Sequence, residues 1–278
     1  MKLRDVMTRN VMTVQLSDTL ELARETMLWG GFRHLPVVDG GAIVGILSER
    51  DILQAKGSAA ARERDPMVCD VMRVPVETAS PEASVEATAL RMSSRKIGAM
   101  PIVDDGKLVG MVTVTDLLAQ IGRPAPSSAD FSLPPVAVVM TENPATAHAG
   151  EPLADAAARM VANHVRHLPV VGVSGKVTAI LSDRDVLRAM TITHSRHLGP
   201  TSALQEKTVS DAMTEDPIVL ELDASVEEAL TIFVERRVGA IPIVDGRGRL
   251  RGILSYVDVL AWLGRNSPAR KSPELMTP

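Results

Sequence analysis

Four short runs in this 278-residue chain set a hydroxyl three residues ahead of a carboxylate: Ser48 and Asp51, Thr113 and Asp116, Ser182 and Asp185, Ser255 and Asp258. Each run follows an apolar stretch and opens a helical one. The first backbone N–H groups of a helix lack an intrahelical partner, and together with the helix dipole they favour an anion. The hydroxyl can add a hydrogen bond to that anion, as to a phosphate. Arg50 and Arg184 lie inside the first and third runs and can supply a charge-assisted contact. The same residues also make an ordinary helix N-cap, with Asp in the first turn near the positive dipole end. Both readings stay open from the residues alone. The arginines favour ligand binding in the first and third runs, and their absence favours a plain cap in the second and fourth.

The runs recur because the chain is a repeat. Met7, Met72, Met140 and Met213 each precede a strand proline, Pro36, Pro101, Pro169 and Pro242, by 29 residues. From those prolines to the four aspartates the distances are 15, 15, 16 and 16. In the first copy, Val11–Leu16 reads as extended. A helix follows from about Thr19 to Leu28, with Leu20, Ala23 and Met27 at helical spacing and Gly30-Gly31 at its end. Leu35–Val38 and Ile43–Leu47 flank a Gly-rich turn as a hairpin, and the second helix runs to about Lys56. The order is β-α-β-β-α, and Ser225 with Glu228 matches a capping box in the fourth copy. Boundaries fall at residues 1–57, 66–122, 136–190 and 207–264, with a Pro/Ser-rich linker at 123–135 and a flexible tail at 265–278. A unit of about 55 residues buries too little surface to be stable alone, so the copies must pair.

The copies alternate in kind. The first and third carry Arg33-His34-Leu35-Pro36 and Arg166-His167-Leu168-Pro169, whereas the second and fourth carry Gly98-Ala99-Met100-Pro101 and Gly239-Ala240-Ile241-Pro242. An A–B block was duplicated. The repeat methionines and the Ile-Val runs read as core.

Composition narrows the function. Hydrophobic residues form 45% of the chain, enough for packed cores. A net charge of −4 offers no basic excess for nucleic acid. Cys69 is the single cysteine, so a disulfide framework is excluded. No apolar run has signal-peptide or membrane-spanning length, and a cytoplasmic protein is expected. His164 with His167, and His194 with His197, have a two-ligand spacing but no accompanying Cys or carboxylate cluster, so no metal site is expected. With 2% aromatic residues, a planar ligand should be gripped mainly by aliphatic side chains.

These motifs resemble the cystathionine-β-synthase (CBS) domain family. The Met7-Thr8 start, His34-Leu35-Pro36-Val37-Val38-Asp39, and Val44-Gly45-Ile46-Leu47-Ser48 with Arg50-Asp51 carry the resemblance, which covers about residues 1–122 and 136–264. It implies an α+β fold of four β-α-β-β-α repeats in two pseudo-symmetric pairs. Each pair packs through its sheets around two clefts, and two pairs can stack as a disk. One chain closes such a disk, as in proteins resembling the γ subunit of AMP-activated kinase, or two chains assemble as a homodimer. The resemblance also implies adenosine-containing ligands in the clefts. Asp51, Asp116, Asp185 and Asp258 would hold the ribose. Ser48, Thr113, Ser182, Ser255, Arg50, Arg184, Arg33, His34, Arg166 and His167 would meet the phosphate. Thr13 and Thr146, like Thr78, would line the pocket, where the fourth copy departs with Val219. Adenine would sit among aliphatic residues beside Pro36 and Pro169. AMP, ADP or ATP is the expected ligand, with S-adenosylmethionine or NAD as alternatives, and no cofactor is required. The expectation is a stand-alone regulatory nucleotide sensor acting on an unknown partner protein, with no nucleic-acid or membrane partner. The competing reading is an interaction scaffold with vestigial clefts. No nucleophile-and-base arrangement, Walker sequence or GxGxxG occurs, so no enzyme is expected. Asp51 and Asp185 rank ahead of Asp116 and Asp258 as ligand-binding carboxylates.

Overall fold

Each copy in the computed structural model, which describes residues 1–56, 66–95, 97–121, 133–191, 204 and 206–266, begins with an arm that leaves its own copy. The linker as far as residue 132, His194, His197 and the tail from 267 lie outside the described residues. Leu133–Pro135 already belong to the fold, since Val226 N donates to Pro134 O at 3.0 Å. Arg265 and Asn266, expected in the tail, complete the last helix.

In copy 1, β1 (Val14–Gln15) runs parallel to β2 (His34–Asp39), which turns back as antiparallel β3 (Ala42–Ser48). Helix α1 (Leu20–Gly30) lies between β1 and β2, and α2 (Glu49–Lys56) follows β3. Copy 2 repeats this with α3 (Val85–Ser94), β4 (Ala99–Asp104), β5 (Lys107–Thr113) and α4 (Val114–Ile121), its first strand reduced to one parallel bridge between Ala79 and Ile102. Copy 3 has β6 (Thr141–Glu142), α5 (Leu153–Ala162), β7 (His167–Val171), β8 (Val177–Ser182) and α6 (Asp183–Thr191). Copy 4 has β9 (Thr214–Glu215), β10 (Leu220–Glu221), α7 (Val226–Glu235), β11 (Ala240–Val244), β12 (Leu250–Ser255) and α8 (Tyr256–Asn266). Thr19, Ser84 and Ser225 cap the first helices of copies 1, 2 and 4, each accepting from a backbone N–H three residues on at 3.0–3.1 Å. Pro152 offers no such cap in copy 3.

The arms exchange within pairs. The residue after each repeat methionine adds to the last strand of the partner copy: Thr8 pairs with Met111, Arg73 with Ile46, Thr141 with Ile253 and Thr214 with Ile180. The methionine side chain then lies across the middle of that strand, where a side chain would collide. A Cβ at Gly110 would stand 2.5 Å from the Met7 sulfur and 3.1 Å from the Thr8 carbonyl oxygen. Gly45 meets Met72 and Gly252 meets Met140 in the same way. Copy 3 has Ala179 at this register position. The methionines are half-buried and pack against the core of the partner copy, at the edge of the core the sequence reading assigned them to.

The hydrophobic cores run the other way, between pairs. One unites copies 1 and 3 and includes Leu47, Ile52, Leu181 and Val186. The other unites copies 2 and 4 through Met92, Leu117, Phe233 and Val259. Helix α2 packs on α6, while α3 and α4 pack against α7 and α8. Leu3 and Val136, on arms of copies 1 and 3, insert into the core of copies 2 and 4. One chain thus closes a ring of contacts: 1 to 2 and 3 to 4 by arms, 1 to 3 and 2 to 4 by helices. No helix among the described residues is long and apolar enough to cross a membrane.

Gly252→Val should lower the unfolding free energy by about 1–3 kcal/mol, because the added side chain meets Met140 and the fixed Thr141 carbonyl oxygen, 2.9 Å from a Cβ. Met140→Ala in the same chain should restore part of the loss. Urea unfolding reads both; an unchanged midpoint for Gly252→Val would contradict the arm lock.

Candidate functional site

All four hydroxyl–carboxylate runs form reciprocal caps. The backbone N–H of Ser48, Thr113, Ser182 and Ser255 donates to Oδ2 of the aspartate three residues on, at 2.8–2.9 Å. Each hydroxyl donates to the same Oδ2 at 2.5–2.7 Å and accepts from the aspartate N–H at 3.3–3.4 Å. The cap consumes one carboxylate oxygen and leaves Oδ1 over, so a capping aspartate can still bind a ligand.

What meets Oδ1 differs by copy. Asp51 is 5% exposed and accepts from Arg73 Nε at 2.7 Å, the arginine coming from the arm of copy 2. Asp185 has Arg188 at 3.9 Å, and Asp258 accepts from Thr141 Oγ1 at 3.4 Å. Asp116 Oδ1 has no partner among the described residues. Asp116 lines a cavity of about 610 Å³, within the roughly 300–1,000 Å³ range of small-molecule sites. Thr8, Met111, Thr113 and Thr115 line it from the first pair, and Phe233, Val234, Arg237 and Tyr256 line it from copy 4. Arg33, His34 and Arg184 also reach it.

The cavity therefore gathers Arg33, His34, Thr113, Asp116 and Arg184 from the residues expected to bind. Thr13, Pro36, Ser48, Arg50, Asp51, Thr146, Arg166, His167, Pro169, Ser182, Asp185, Ser255 and Asp258 do not line it. Pro36 and Pro169 sit inside the sheets opposite Ile46 and Ile180. Phe233, Tyr256, Phe32, Thr8 and Arg237 escaped the sequence reading. Aliphatic Met111, Val114, Ala119, Val234 and Val238 line this cavity together with Phe32, Phe233 and Tyr256, three of the chain's six aromatic residues. Phe233 and Tyr256 meet edge to face, with centroids 6.4 Å apart. Tyr256 stands where the other copies have Glu49, Val114 and Asp183, and that odd residue type was the one available signal.

The two arginines inside the odd runs act between copies. Arg184 Nε donates to Glu49 Oε1 at 2.8 Å, and its Nη2 donates to the carbonyls of Phe32 at 2.9 Å and Gly31 at 3.3 Å. Arg50 reaches the other way, to the His164 carbonyl at 3.4 Å and its Nδ1 at 2.7 Å. Each arginine caps the end of the first helix in the opposite odd copy.

At the centre, His34 packs on Gly98 and His167 on Gly239, where a Cβ would lie 3.2 Å from the first imidazole and 2.7 Å from the second. Arg33 extends past Gly239 and donates to the Tyr256 hydroxyl at 3.1 Å, with its guanidinium 5.9 Å from the ring centroid. Arg166 approaches Gly98 from the other pair. The A–B alternation thus has a packing cause: the Arg-His tip of an odd copy needs the bare glycine of an even one. Burial, with Arg166 and Arg33 nearby, pushes the His34 imidazole down to about 3, and burial with the same arginines does so for His167. Burial raises the carboxyls of Glu49 and Asp183 above the usual range, against the pull of Arg184 on Glu49 and of Arg166 and Arg33 on Asp183.

Both histidines must therefore be neutral in the fold. Their depressed folded values mean that this stability is complete above about pH 6.5 and is lost as pH falls toward 3, by up to about 1.4 kcal/mol per unit for each histidine. Both rings keep some solvent contact, which lessens the slope. Glu49 and Asp183, raised, act in the opposite sense and gain as pH falls. Between pH 7.5 and 5.5 the melting temperature should drop, and His34→Asn with His167→Asn should flatten that drop. Equal slopes in the two proteins would refute the assignment.

Four segments of the chain, residues 3–58, 68–123, 136–192 and 209–265, match the CBS domain. Protein MJ1225 of Methanocaldococcus jannaschii is 26% identical over 273 residues, covering 91% of this chain and 95% of that protein. The crystal structure of MJ1225 superposes with a TM-score of 0.84 at 24% identity, over 95% of this chain and 100% of that one. A conserved protein from Pyrococcus horikoshii does so with a TM-score of 0.64 at 23% identity, again over 95% and 100%. At those identities the two structures speak for the fold. Repeat, exchanged arms and sequence matches agree: the chain belongs to the CBS domain family, with four CBS domains in two tandem pairs.

Proposed function

We propose that this chain is a regulatory sensor that binds an adenine nucleotide in the Asp116 cavity. The observation that carries the reading is Asp116, which lines a cavity of about 610 Å³ and whose Oδ1 has no protein partner among the described residues. A ribose presents two vicinal hydroxyls, and the free carboxylate oxygen accepts from them while Oδ2 stays in the cap. The start of α4 and the nearby guanidiniums suit phosphate. Phe32, partly exposed on the cavity, suits a planar base, while the buried Phe233 and Tyr256 back the wall from the core. Because the cavity walls come from different copies, an occupant biases how the copies sit against one another, and a partner protein reads that shift. This order of sites differs from the ranking by arginine content: Arg73 already holds Asp51, so copy 1 is the weaker candidate.

Isothermal titration with AMP, ADP, ATP, NAD and S-adenosylmethionine tests the reading, and no binding to any of them at millimolar concentration sinks it. Asp116→Ala should weaken nucleotide binding by about 10- to 100-fold, the worth of one or two charge-assisted hydrogen bonds. Asp51→Ala should change it by less than about threefold, because its Oδ1 serves Arg73.

A further inference from the structure

The contacts of copy 1 with copy 3 and of copy 2 with copy 4 are built on one plan, but both arginine bridges of the first are missing from the second, where Thr115 and Val257 hold the two helix positions. In the first contact, Arg184 reaches the Gly31 and Phe32 carbonyls of copy 1, and Arg50 reaches His164 of copy 3. Both arginines hold the second position of their helices, and both end at the corner after the opposite copy's first helix. The residue at that corner lies five positions before the strand proline and is left-handed: Gly31 at φ 69°, His164 at φ 56° and Arg237 at φ 53°. In the contact of copies 2 and 4, the helix position facing Arg237 belongs to Thr115, which is too short to cross. The cavity lies there instead, lined by Thr115 and Asp116 of copy 2 and by Arg237 of copy 4.

Arg237 differs in kind from the other two guanidiniums on the cavity. Arg33 is bound to Tyr256, and Arg184 to Glu49 and two carbonyls. Arg237 is exposed and, among the described residues, makes no hydrogen bond or ion pair. It also occupies a left-handed backbone position that glycine would fill without strain. Copy 1 has glycine there. At the same corner in copy 3, His164 uses its strained position to receive Arg50. A bulky cation kept in strained backbone, lining a cavity and paired with no carboxylate among the described residues, points to an anion that arrives with the ligand.

Building on the nucleotide reading of this cavity, we infer that Arg237 is the residue that reads the ligand's phosphate, and that the ligand itself replaces one of the two arginine bridges missing between copies 2 and 4. Ribose on Asp116 and phosphate on Arg237 tie the two pairs together. A 5′-phosphorylated adenosine meets both ends. Neutral adenosine leaves Arg237 unanswered, and S-adenosylmethionine brings a sulfonium cation toward it.

Titration of the full chain with AMP, adenosine and S-adenosylmethionine, repeated on Arg237→Gln, Arg237→Lys and Arg237→Gly, tests this. Wild type should prefer AMP to adenosine by at least about 10-fold. Arg237→Gln should lose about 10- to 100-fold in AMP affinity with adenosine unchanged, and Arg237→Lys should keep most of it. Arg237→Gly should lose the same preference while the ligand-free protein melts higher, since the strain is relieved; a purely structural arginine would give the reverse. AMP should slow amide exchange in both α4 and α7 of wild type, and only in α4 of Arg237→Gln. An unchanged AMP-to-adenosine ratio in Arg237→Gln, or no protection of α7 in wild type, overturns the inference and leaves the nucleotide reading standing. Failure of wild type to bind either AMP or adenosine overturns both.

Discussion

Arg33 crosses from one pair to the other over a residue that has no side chain. Gly239 lies under both the His167 ring and the Arg33 guanidinium, within 2.9 Å of each from a would-be Cβ, and Gly98 stands likewise under His34 with Arg166 nearby. Any larger residue at Gly239 displaces an imidazole from one side and a guanidinium from the other. Around this crossing lie the buried acids Glu49 and Asp183, 2% and 5% exposed, at the first positions of α2 and α6. Charges this buried persist because they answer one another: Arg184 meets Glu49 directly, and Arg33 and Arg166 act on Asp183. The centre of the molecule is polar, crowded and shared by all four copies.

Two kinds of contact then hold the ring around that centre. Exchanged arms join the copies of a pair through backbone hydrogen bonds and through methionines lying on glycines. Hydrophobic cores join copies of different pairs. A single copy of about 55 residues buries too little of its surface, and here each core is completed by a copy from the other pair and by arms from the other core's copies. No copy can therefore shift alone. A ligand that pulls copy 2 toward copy 4 acts on the contact that also sets the position of Tyr256, and through Tyr256 on Arg33 at the centre. That continuity joins the cavity lining to the polar centre shared by all four copies.

Much of the fold was legible in the chain. Constant spacing from methionine to proline marked four units, the apolar runs around Gly-rich turns marked the hairpins, and Thr19 and Ser225 marked helix starts where they occur. The site was legible only by type. Ser-x-x-Asp marked four equivalent helix starts, and the choice between cap and ligand looked exclusive. Geometry removed the conflict, since the cap takes Oδ2 and leaves Oδ1. Counting nearby arginines pointed to copies 1 and 3, yet Arg50 and Arg184 serve as cross-braces and Arg73, from an arm, closes on Asp51.

Local sequence by itself determined the repeat, the alternation of Arg-His with Gly-Ala, the helix caps and the strand order, because each depends on residues within about thirty positions of one another. Tertiary structure alone decided which carboxylate stays open. Asp116 and Asp51 sit in nearly identical local settings, and what separates them arrives from elsewhere: Arg73 from an exchanged arm in one case, Phe233, Arg237 and Tyr256 from the opposite pair in the other. The glycines of the even copies read in the chain as simple family features, and only the crossing of Arg33 and Arg166 gives them a steric reason. The hydroxyl–carboxylate run thus specifies a helix start wherever it occurs, and becomes a candidate binding site where the aspartate lines the cavity and its second oxygen has no partner among the described residues.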